Sequence, residues 1–303
     1  YSGRSQTLIQ PLIDNFITDT GIDVQVKYGS TSGTVALLLE EGDASPADVV
    51  LLQDAGALGA LAKENKLGSI PNNLLTRVEA TFRSHDHNWV GISGRARTVI
   101  YNTDKLTPAD LPDSIQGFTN PEWKGRIGWA PTNGSFQAFV TALRITGGDA
   151  TTKSWLEGIK ANEPVVYPKN TPIVDAVGRG EVEVGFVNHY YLLRFLTEQG
   201  DGFAARNYYP RGDVGGMMNV AGVGILESSK AKPVALKFID YLLSESAQTY
   251  FSDETGEYPL IDGVASNPAN PQLADLDILD IDLGNLDDLR GTLDLMRDVG
   301  ITP

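Results

Sequence analysis

Two long extended runs constrain the fold of this chain more than any other feature of its 303 residues. The first, residues 89–102 (WVGISGRARTVIYN), is interrupted by two glycines, and the second, residues 219–226 (NVAGVGIL), is also rich in glycine. The segments in the first half alternate strand and helix patterns, which favours parallel strands joined by right-handed crossovers. A chain of this length is expected to form about two domains. The sequence therefore predicts an α/β fold in which the two runs cross between two lobes.

Hydrophobic spacing predicts the individual elements. Apolar residues at helical spacing in residues 8–17, followed by Gly21, predict a first helix that Pro11 either kinks or delays. Residues 22–28 (IDVQVKY) alternate apolar and polar side chains and predict a strand. Further elements are predicted as helices over residues 35–41, 55–66 and 233–250, as strands over residues 48–52 and 182–187, and as a helical face of Leu286, Leu289, Leu293 and Met296.

The charge and the composition argue against several function classes. The chain has 24 Lys and Arg against 39 Asp and Glu, a formal net charge of −15, and no Cys. Nucleic acid and anionic lipid are poor partners for it, because both need clustered Lys and Arg. The lack of Cys removes disulfides, thiolate metal sites and thiol nucleophiles. No apolar run reaches the length of a membrane-spanning helix, and the start at Tyr1 without a Met predicts a mature or trimmed form.

Catalytic motifs are scarce. The sequence has no phosphate-binding loop, no zinc-protease motif and no convincing dinucleotide-binding motif. Residues 29–33 (GSTSG) resemble a nucleophile elbow, but the centre is Thr31, so a turn into a helix is favoured. His85, Asp86 and His87 have the composition of a metal site, although a solvated loop is favoured. Three histidines and no recognisable nucleophile–base pair argue against an enzyme, although a pair among the 39 acidic residues stays open.

The most informative local motif is Asn188-His189-Tyr190-Tyr191, which follows the predicted strand 182–187. Asn188 is a good N-cap, which would place both tyrosines in the first turn of a helix. At a strand-to-helix turn two phenols can converge on one point, and the free backbone N–H groups suit an anion. Phenolate oxygen is a hard ligand that suits a small, highly charged cation. The alternative is an aromatic pair packed at a helix start.

Motifs along nearly the whole chain resemble the ferric-ion-binding extracytoplasmic solute-binding proteins of ABC transporters. Each motif is weak alone, but their order and spacing together are specific. The matching motifs are residues 1–4 (YSGR), 42–49 (GDASPADV), 93–97 (SGRAR), 123–128 (WKGRIG), 131–136 (PTNGSF), 188–191 (NHYY) and 257–260 (EYPL).

The resemblance implies an α/β, two-lobed periplasmic-binding-protein fold of type 2, with discontinuous lobes around a hinge and a central cleft for the ligand. Lobe one would hold residues 1–95 and 222–265, and lobe two would hold residues 96–221. Residues 266–303 would form a C-terminal helical tail that packs on the lobes. The resemblance also implies a monomeric receptor, not an enzyme, that delivers Fe(III) to an ABC permease from the periplasm or as a cell-surface lipoprotein.

The resemblance further implies the residues of the site. Tyr190 and Tyr191 would bind Fe(III), and a synergistic anion, carbonate or phosphate, would bind beside the metal. A guanidinium fork fits a planar oxyanion, and asparagine, serine and backbone groups add hydrogen bonds. The positions implied for the anion are Arg4, Arg95, Arg97, Asn133, Gly134, Ser135, Asn170 and Asn188.

The chain departs from the family it resembles at other metal-ligand positions. Ser5 and Gln6 stand where many members have a His or a Tyr, and Gln53 stands where many have a Glu. These three residues are candidates for additional metal or cleft contacts, alongside the anion, water or Asp54. The departure keeps a second hypothesis open, in which the same fold binds a polyamine, thiamine, a phosphonate or another oxyanion.

Overall fold

The computed structural model describes residues 1–302 of the chain, which divide into two compact units. The first unit comprises Tyr1–Gly94, Asn219–Pro268 and Ile281–Asp287, and the second comprises Arg95–Met218, Ala269–Asp280 and the residues from Asp288 onward. The chain passes from the first unit to the second after Gly94 and first returns at Asn219, each time within a long strand. The lobe limits expected from the sequence stay a proposal.

Residues 1–302 form ten α-helices and seven β-strands, besides shorter helical turns. The helices are α1 (Gln6–Thr20), α2 (Thr31–Glu41), α3 (Ala55–Lys63), α4 (Asn72–Leu75), α5 (Gly134–Ala161), α6 (Asn170–Gly178), α7 (Tyr191–Gln199), α8 (Lys232–Leu242), α9 (Glu245–Tyr250) and α10 (Leu289–Val299). The strands are β1 (Val49–Leu52), β2 (Trp89–Asn102), β3 (Ile127–Trp129), β4 (Val165–Val166), β5 (Val184–Asn188), β6 (Ala205–Tyr208) and β7 (Met218–Ile225).

The first unit is built around β1 and β7, which pair antiparallel with Val49 opposite Ile225. The first half of β2 lies on the other side of β7. Gly222 permits this close approach, because a Cβ there would lie 2.9 Å from the carbonyl oxygen of Val90. The core of the unit continues between α1 and α8. There the rings of Phe16 and Phe238 pack edge to face with centroids 5.0 Å apart.

The strand predicted over residues 22–28 is not formed. Only Tyr28 pairs, through a parallel bridge to Ser2, and Ser2 makes a second parallel bridge to Leu51. Residues 22–27 are irregular, although their apolar side chains are half-buried and their polar ones exposed, as the alternation predicts. A strand also needs a neighbouring backbone to bond to. Over most of this segment the described chain supplies no such neighbour. The prediction was therefore right about which side chains are half-buried and wrong about the hydrogen-bonded strand.

The second unit contains a mixed sheet with β5 near its centre. β5 pairs antiparallel with β2, which places Arg97 opposite Asn188, and parallel with β3. β4 pairs parallel with β3, and β6 pairs antiparallel with the second half of β2. Parallel pairing thus occurs among β3, β4 and β5, whereas β1, the strand of the first half for which it was predicted, pairs antiparallel with β7. The long strand β2 runs antiparallel to its partners, because it enters from the other unit instead of through a strand–helix–strand crossover.

Three helices of the second unit begin just after the parallel strands: α5 follows β3, α6 follows β4 and α7 follows β5. Their amino ends therefore follow the carboxyl ends of these strands, where ligands bind in open α/β sheets. Aromatic packing anchors α5, since the Phe139 and Trp155 rings lie 5.5 Å apart. The hydroxyls of Thr141 and Thr292 lie 2.8 Å apart and join α5 to α10.

Most predicted helices form. α1 ends at Gly21, whose φ of 67° is the left-handed conformation typical of a helix end. Pro11 lies inside α1, so the expectation of a delayed helix start is wrong; its ring lies on the exposed side. Met296 of α10 is buried, as its predicted helical face requires. Among residues 1–302, no helix has both the length and the apolar character needed to cross a membrane.

Candidate metal and anion site

The turn between β5 and α7 carries the candidate metal ligands. β5 ends at Asn188, Tyr190 occupies the N-cap position and the helix begins at Tyr191. The prediction that Asn188 caps this helix is therefore wrong. Asn188 is instead the last residue of β5 and lies opposite Arg97 of β2. Its side-chain oxygen accepts a hydrogen bond from Arg97 Nη1 at 2.9 Å.

The two tyrosine rings lie side by side at this turn. The ring centroids of Tyr190 and Tyr191 are 4.5 Å apart, and the ring planes differ by 32°. Both residues are partly exposed. The His189 ring meets the Tyr190 ring edge to face, with centroids 5.5 Å apart. Adjacent residues of a regular helix point in different directions, so the proximity of the two rings depends on the irregular turn.

His189 and Asn207 fix this turn, although sequence reasoning assigned a role to neither. The N–H of His189 donates to the carbonyl oxygen of Ala96 at 3.1 Å, and the N–H of Ala96 donates to His189 Nδ1 at 3.2 Å. The imidazole is fully buried. Because Nδ1 accepts, the neutral ring carries its proton on Nε2. Asn207 Nδ2 donates to the carbonyl oxygen of His189 at 2.9 Å. Asn207 lies on β6, and nothing in the sequence links it to the turn.

A connected polar cluster lies at the amino ends of α5 and α6. Asn133 caps α5, since its Oδ1 accepts from the N–H of Ser135 at 3.0 Å and from Ser135 Oγ at 2.6 Å. Asn170 is the first residue of α6, and its Nδ2 donates to Ser135 Oγ at 3.0 Å. Gly134 is the first residue of α5 and lies between two members of the cluster. The structure therefore brings these four predicted anion positions together.

Arg97 joins this cluster to the tyrosine turn. Its Nη1 donates to Asn188 Oδ1 at 2.9 Å and to Ser135 Oγ at 3.3 Å. Burial lowers the pKa of the Arg97 guanidinium to about 10, and the Tyr190 and Tyr191 hydroxyl groups partly offset this shift. The guanidinium is thus close enough to the tyrosines to interact electrostatically with both.

Two buried polar atoms of this cluster have no hydrogen-bond partner among residues 1–302, namely Arg97 Nη2 and Asn170 Oδ1. Such an atom costs free energy when it is left without a partner, and a bound water or ligand at this place would remove that cost. Arg97 Nη2 is a donor and Asn170 Oδ1 is an acceptor, and the amino ends of α5 and α6 add backbone N–H groups. This set suits an oxyanion that also carries a proton or an associated water.

Arg4 has a different environment from Arg97. Arg4 lies buried in the first unit, where its Nη1 and Nη2 donate to the carboxylate of Glu257 at 2.9 Å and 3.0 Å. Its Nη1 also donates to Ser93 Oγ at 3.2 Å. A carboxylate bound in this bidentate way neutralises the guanidinium. Arg95 is buried at the start of the second unit.

The additional candidates for metal contacts belong to the first unit. Ser5 precedes α1, and its Oγ lies 3.4 Å from Thr7 Oγ1. Gln6 is exposed as the first residue of α1, and Gln53 is half-buried just after β1. All three side chains offer oxygen atoms, which are suited to a hard cation.

The segment from His85 to His87 forms a solvated loop, as the sequence favours. His85 is exposed, and its Nδ1 lies 3.4 Å from a carboxylate oxygen of Asp282. His87 has a φ of 60° in an exposed turn. Within the described range, no group of three or more His, Cys, Asp or Glu side chains is arranged to hold a metal.

Sequence comparison relates the chain to characterised proteins. Residues 44–282 match the family of bacterial extracellular solute-binding proteins. The chain is 32% identical over 306 residues to the Fe(3+)-binding periplasmic protein of Serratia marcescens, and the match covers 99% of this chain and 89% of that protein. It is 34% identical over 271 residues to the major ferric iron-binding protein of Neisseria meningitidis serogroup A, covering 88% of this chain and 81% of that protein.

Comparison with solved structures leads to the same class of protein as the sequence comparison. The crystal structure of iron-bound HitA from Pseudomonas aeruginosa superimposes with a TM-score of 0.88 at 32% identity, over 99% of this chain and 98% of that one. This likeness confirms the predicted α/β fold class of the two-lobed periplasmic binding proteins. The Serratia relative is named a periplasmic Fe(3+)-binding protein and the Neisseria relative a ferric iron-binding protein, which are names of binding proteins and not of enzymes, in agreement with the prediction from the sequence. The chain therefore belongs to the bacterial extracellular solute-binding protein family.

Proposed function

We propose that this protein is an extracytoplasmic receptor that binds Fe(III) through Tyr190 and Tyr191. The observation that carries the proposal is the pair of phenol rings, 4.5 Å apart, close to the buried Arg97 guanidinium. The Serratia and Neisseria relatives are named for ferric iron, and the HitA structure contains iron, which supports the same ligand here.

The chemistry of phenol suits this role. Free Tyr has a pKa of about 10, so it loses its proton at neutral pH only beside a strongly polarising cation. Once deprotonated, phenolate is a hard anionic ligand that matches Fe(III). Two phenolates and one carbonate exceed the charge of Fe(III) by a single negative unit. The Arg97 guanidinium is placed to neutralise that unit.

The synergistic anion of this proposal, carbonate or phosphate, binds at the polar cluster of the second unit. The unpartnered Arg97 Nη2 supports this placement because a guanidinium donates well to an oxyanion. Asn170 Oδ1 would accept from a protonated oxygen of the anion or from its water. The capped amino end of α5, at Asn133, Gly134 and Ser135, adds a favourable helix dipole.

The remaining parts of the proposal concern the other ligands and the partner. Fe(III) needs more ligands than two phenolates and one anion supply, so water or further oxygen ligands would complete its shell. The receptor would act as a monomer in the periplasm or as a cell-surface lipoprotein. It would deliver iron to an ABC permease, which is the partner class implied by its family.

Iron content in tyrosine variants tests the proposal. After loading with ferric iron and dialysis, we expect elemental analysis to find iron in the unchanged protein and little in Tyr190→Phe or Tyr191→Phe. Losing a direct ligand should weaken binding by more than the roughly 10- to 100-fold typical of an outer-shell change. Tyr167→Phe is the matched control, because this partly buried tyrosine packs against the core of the same unit. Equal iron retention in all four proteins would refute the role of the tyrosine pair.

A second candidate function keeps the fold and changes the ligand. The unpartnered donor and acceptor of Arg97 and Asn170 would also suit an organic oxyanion such as a phosphonate. The presence of Ser5, Gln6 and Gln53 at positions where the resembled family has stronger ligands favours the same idea. A thermal-shift screen separates the two candidates, because a ligand that binds only the folded state raises its stability. Stabilisation by an organic anion without iron would favour this second function.

A further inference from the structure

The ring of Phe139 covers one face of the Arg97 guanidinium group. The guanidinium carbon lies 5.4 Å from the centre of the ring, within the roughly 6 Å at which a cation is attracted to an aromatic face. Both side chains are buried in the second unit. Attraction between a cation and a ring is stronger away from water, so this contact stabilises a charge that burial disfavours.

Both hydrogens of Arg97 Nη1 are already used within the protein. They are donated to Asn188 Oδ1 at 2.9 Å and to Ser135 Oγ at 3.3 Å. Ser135 Oγ can only accept from the guanidinium, because its single proton is donated to Asn133 Oδ1 at 2.6 Å. Asn133 Oδ1 is fixed as an acceptor, since it also accepts from the backbone N–H of Ser135. Two oxygen atoms thus hold one edge of the guanidinium group, and Nη2 has no partner among residues 1–302.

Ser135 and Phe139 contact Arg97 from one side of the same helix. They are four residues apart in α5, so their side chains lie one turn apart on a common face. Ser135 contacts the edge of the guanidinium group, and Phe139 contacts its face. Hydrogen bonds at one edge alone leave a planar group free to tilt about that edge. The ring removes this freedom and so fixes the direction in which Nη2 points.

Phe139 is itself fixed by Trp155, across a break in α5. In a straight helix these two residues would lie about 24 Å apart along the axis, because each residue adds about 1.5 Å. Their ring centroids are instead 5.5 Å apart, edge to face. The chain therefore turns back at Gly148, whose φ of 77° lies in the left-handed region that favours glycine. The indole N–H of Trp155 donates to the carbonyl oxygen of Ile115 at 3.0 Å, which fixes this ring in turn.

We propose that Phe139 is a positioning residue for anion binding, which orients the Arg97 guanidinium so that Nη2 donates to the anion. This rests on the anion site of the proposed function but does not depend on iron. Phe139 has no polar atom with which to bind an anion, so its effect passes through Arg97. Without the ring, the guanidinium group samples orientations in which Nη2 donates poorly, and the affinity for the anion falls.

Inorganic phosphate added to the iron-free protein gives the first test. A ligand that binds only the folded state stabilises it, so the melting temperature at increasing phosphate concentration reports the affinity. We expect Phe139→Leu to weaken phosphate binding about 2- to 30-fold, which corresponds to the energy of one such contact. Phe136→Leu is the matched control, because Phe136 is buried on the same helix and packs against the rings of Trp129 and Trp155. It should lower the melting temperature and leave the phosphate affinity unchanged. Equal phosphate affinity in Phe139→Leu and the unchanged protein, or no response of the unchanged protein to phosphate, would overturn the proposal.

Fluorinated phenylalanine at position 139 separates the electrostatic role of the ring from its packing. Fluorine withdraws electrons from the ring face and weakens its attraction for a cation, while the shape of the ring changes little. We expect the phosphate affinity to fall with each fluorine added at position 139 and to stay constant for the same series at position 136. Equal falls at both positions, or no fall at either, would show that the ring only fills space and would overturn the proposal.

Iron retention, measured on the same proteins, keeps this test separate from that of the proposed function. Phosphate binding that depends on the Phe139 ring in a protein that retains no iron would support the positioning role and refute the iron site. Iron retention together with a phosphate affinity that is independent of the ring would support the iron site and overturn the positioning role.

Discussion

Arg97 is the residue on which the proposed anion site depends most. It lies buried between the tyrosine turn and the polar cluster, and two of its contacts, to Asn188 and Ser135, leave Nη2 without a partner in the described chain. Its guanidinium interacts electrostatically with Tyr190 and Tyr191, and both interactions raise its pKa. The residue is thus placed to couple anion binding with metal binding.

Replacing Arg97 tests this coupling. Hydrogen bonds to charged groups contribute about 1.5–3 kcal/mol, so Arg97→Leu should weaken the effect of bicarbonate or phosphate on iron affinity by about 10- to 100-fold. Titrations of iron at several anion concentrations measure this dependence. Arg126→Leu is the matched control, because Arg126 stacks on Trp123 and pairs with Glu183 in the same unit. Unchanged anion dependence in Arg97→Leu would place the anion elsewhere.

At the level of single residues, sequence reasoning found the side chains whose chemistry is distinctive. Tyr190, Tyr191 and Arg97 follow from motif and resemblance, and the structure brings them close together. It did not find Asn207, because one asparagine on a strand carries no local signal and acts only through the sheet. It also gave Asn188 the wrong backbone role, because a good N-cap residue can equally end a strand when its side chain has a partner across the sheet.

The strand-to-helix turn is the element that positions the proposed metal ligands. Its backbone is held from β2 through Ala96 and from β6 through Asn207. Removing one of these supports should move the phenols without removing them. The turn therefore offers a way to separate the presence of the tyrosines from their placement.

Asn207→Ala tests the role of the turn. We expect a loss of about 0.5–1.5 kcal/mol in the free energy of unfolding for each hydrogen bond removed, because the His189 carbonyl keeps only its bond from the N–H of Leu192 and the Thr98 hydroxyl keeps only its bond to the Val187 carbonyl. We also expect weaker iron binding. The visible absorption band that arises from charge transfer between the phenolates and iron should shift in wavelength. Asn162→Ala is the control, since Asn162 Nδ2 donates to the carbonyl oxygens of Phe118 and Asn120 away from the turn. It should lose stability without a change in iron binding. Equal iron binding in both variants would leave the turn a purely structural role.

Element prediction succeeded where local pattern and tertiary environment agree. β2 has the bounds that its pattern predicts, and α1 ends where Gly21 predicts. The strand predicted over residues 22–28 failed because alternation reports which side chains face the core, whereas a strand also requires a bonded neighbour.

The described chain forms two compact units, and each unit combines segments that lie far apart in the sequence. Asp287 pairs with Lys63 at 2.7 Å in the first unit, whereas the next residue, Asp288, pairs with Arg144 at 3.0 Å in the second. Such a division rests on contacts across more than a hundred residues, which no local pattern encodes. The overall charge of −15 and the absence of Cys are consistent with a receptor that uses hard oxygen ligands for a cation.

The visible absorption spectrum of the protein loaded with ferric iron and bicarbonate tests the central claim most directly. Phenolate-to-iron charge transfer absorbs visible light, so we predict a coloured protein whose band disappears when Tyr190 and Tyr191 are both replaced by Phe. The same band should persist in Tyr167→Phe. A colourless protein that nevertheless contains iron, or a band unaffected by the double replacement, would contradict the claim that these two tyrosines bind the metal.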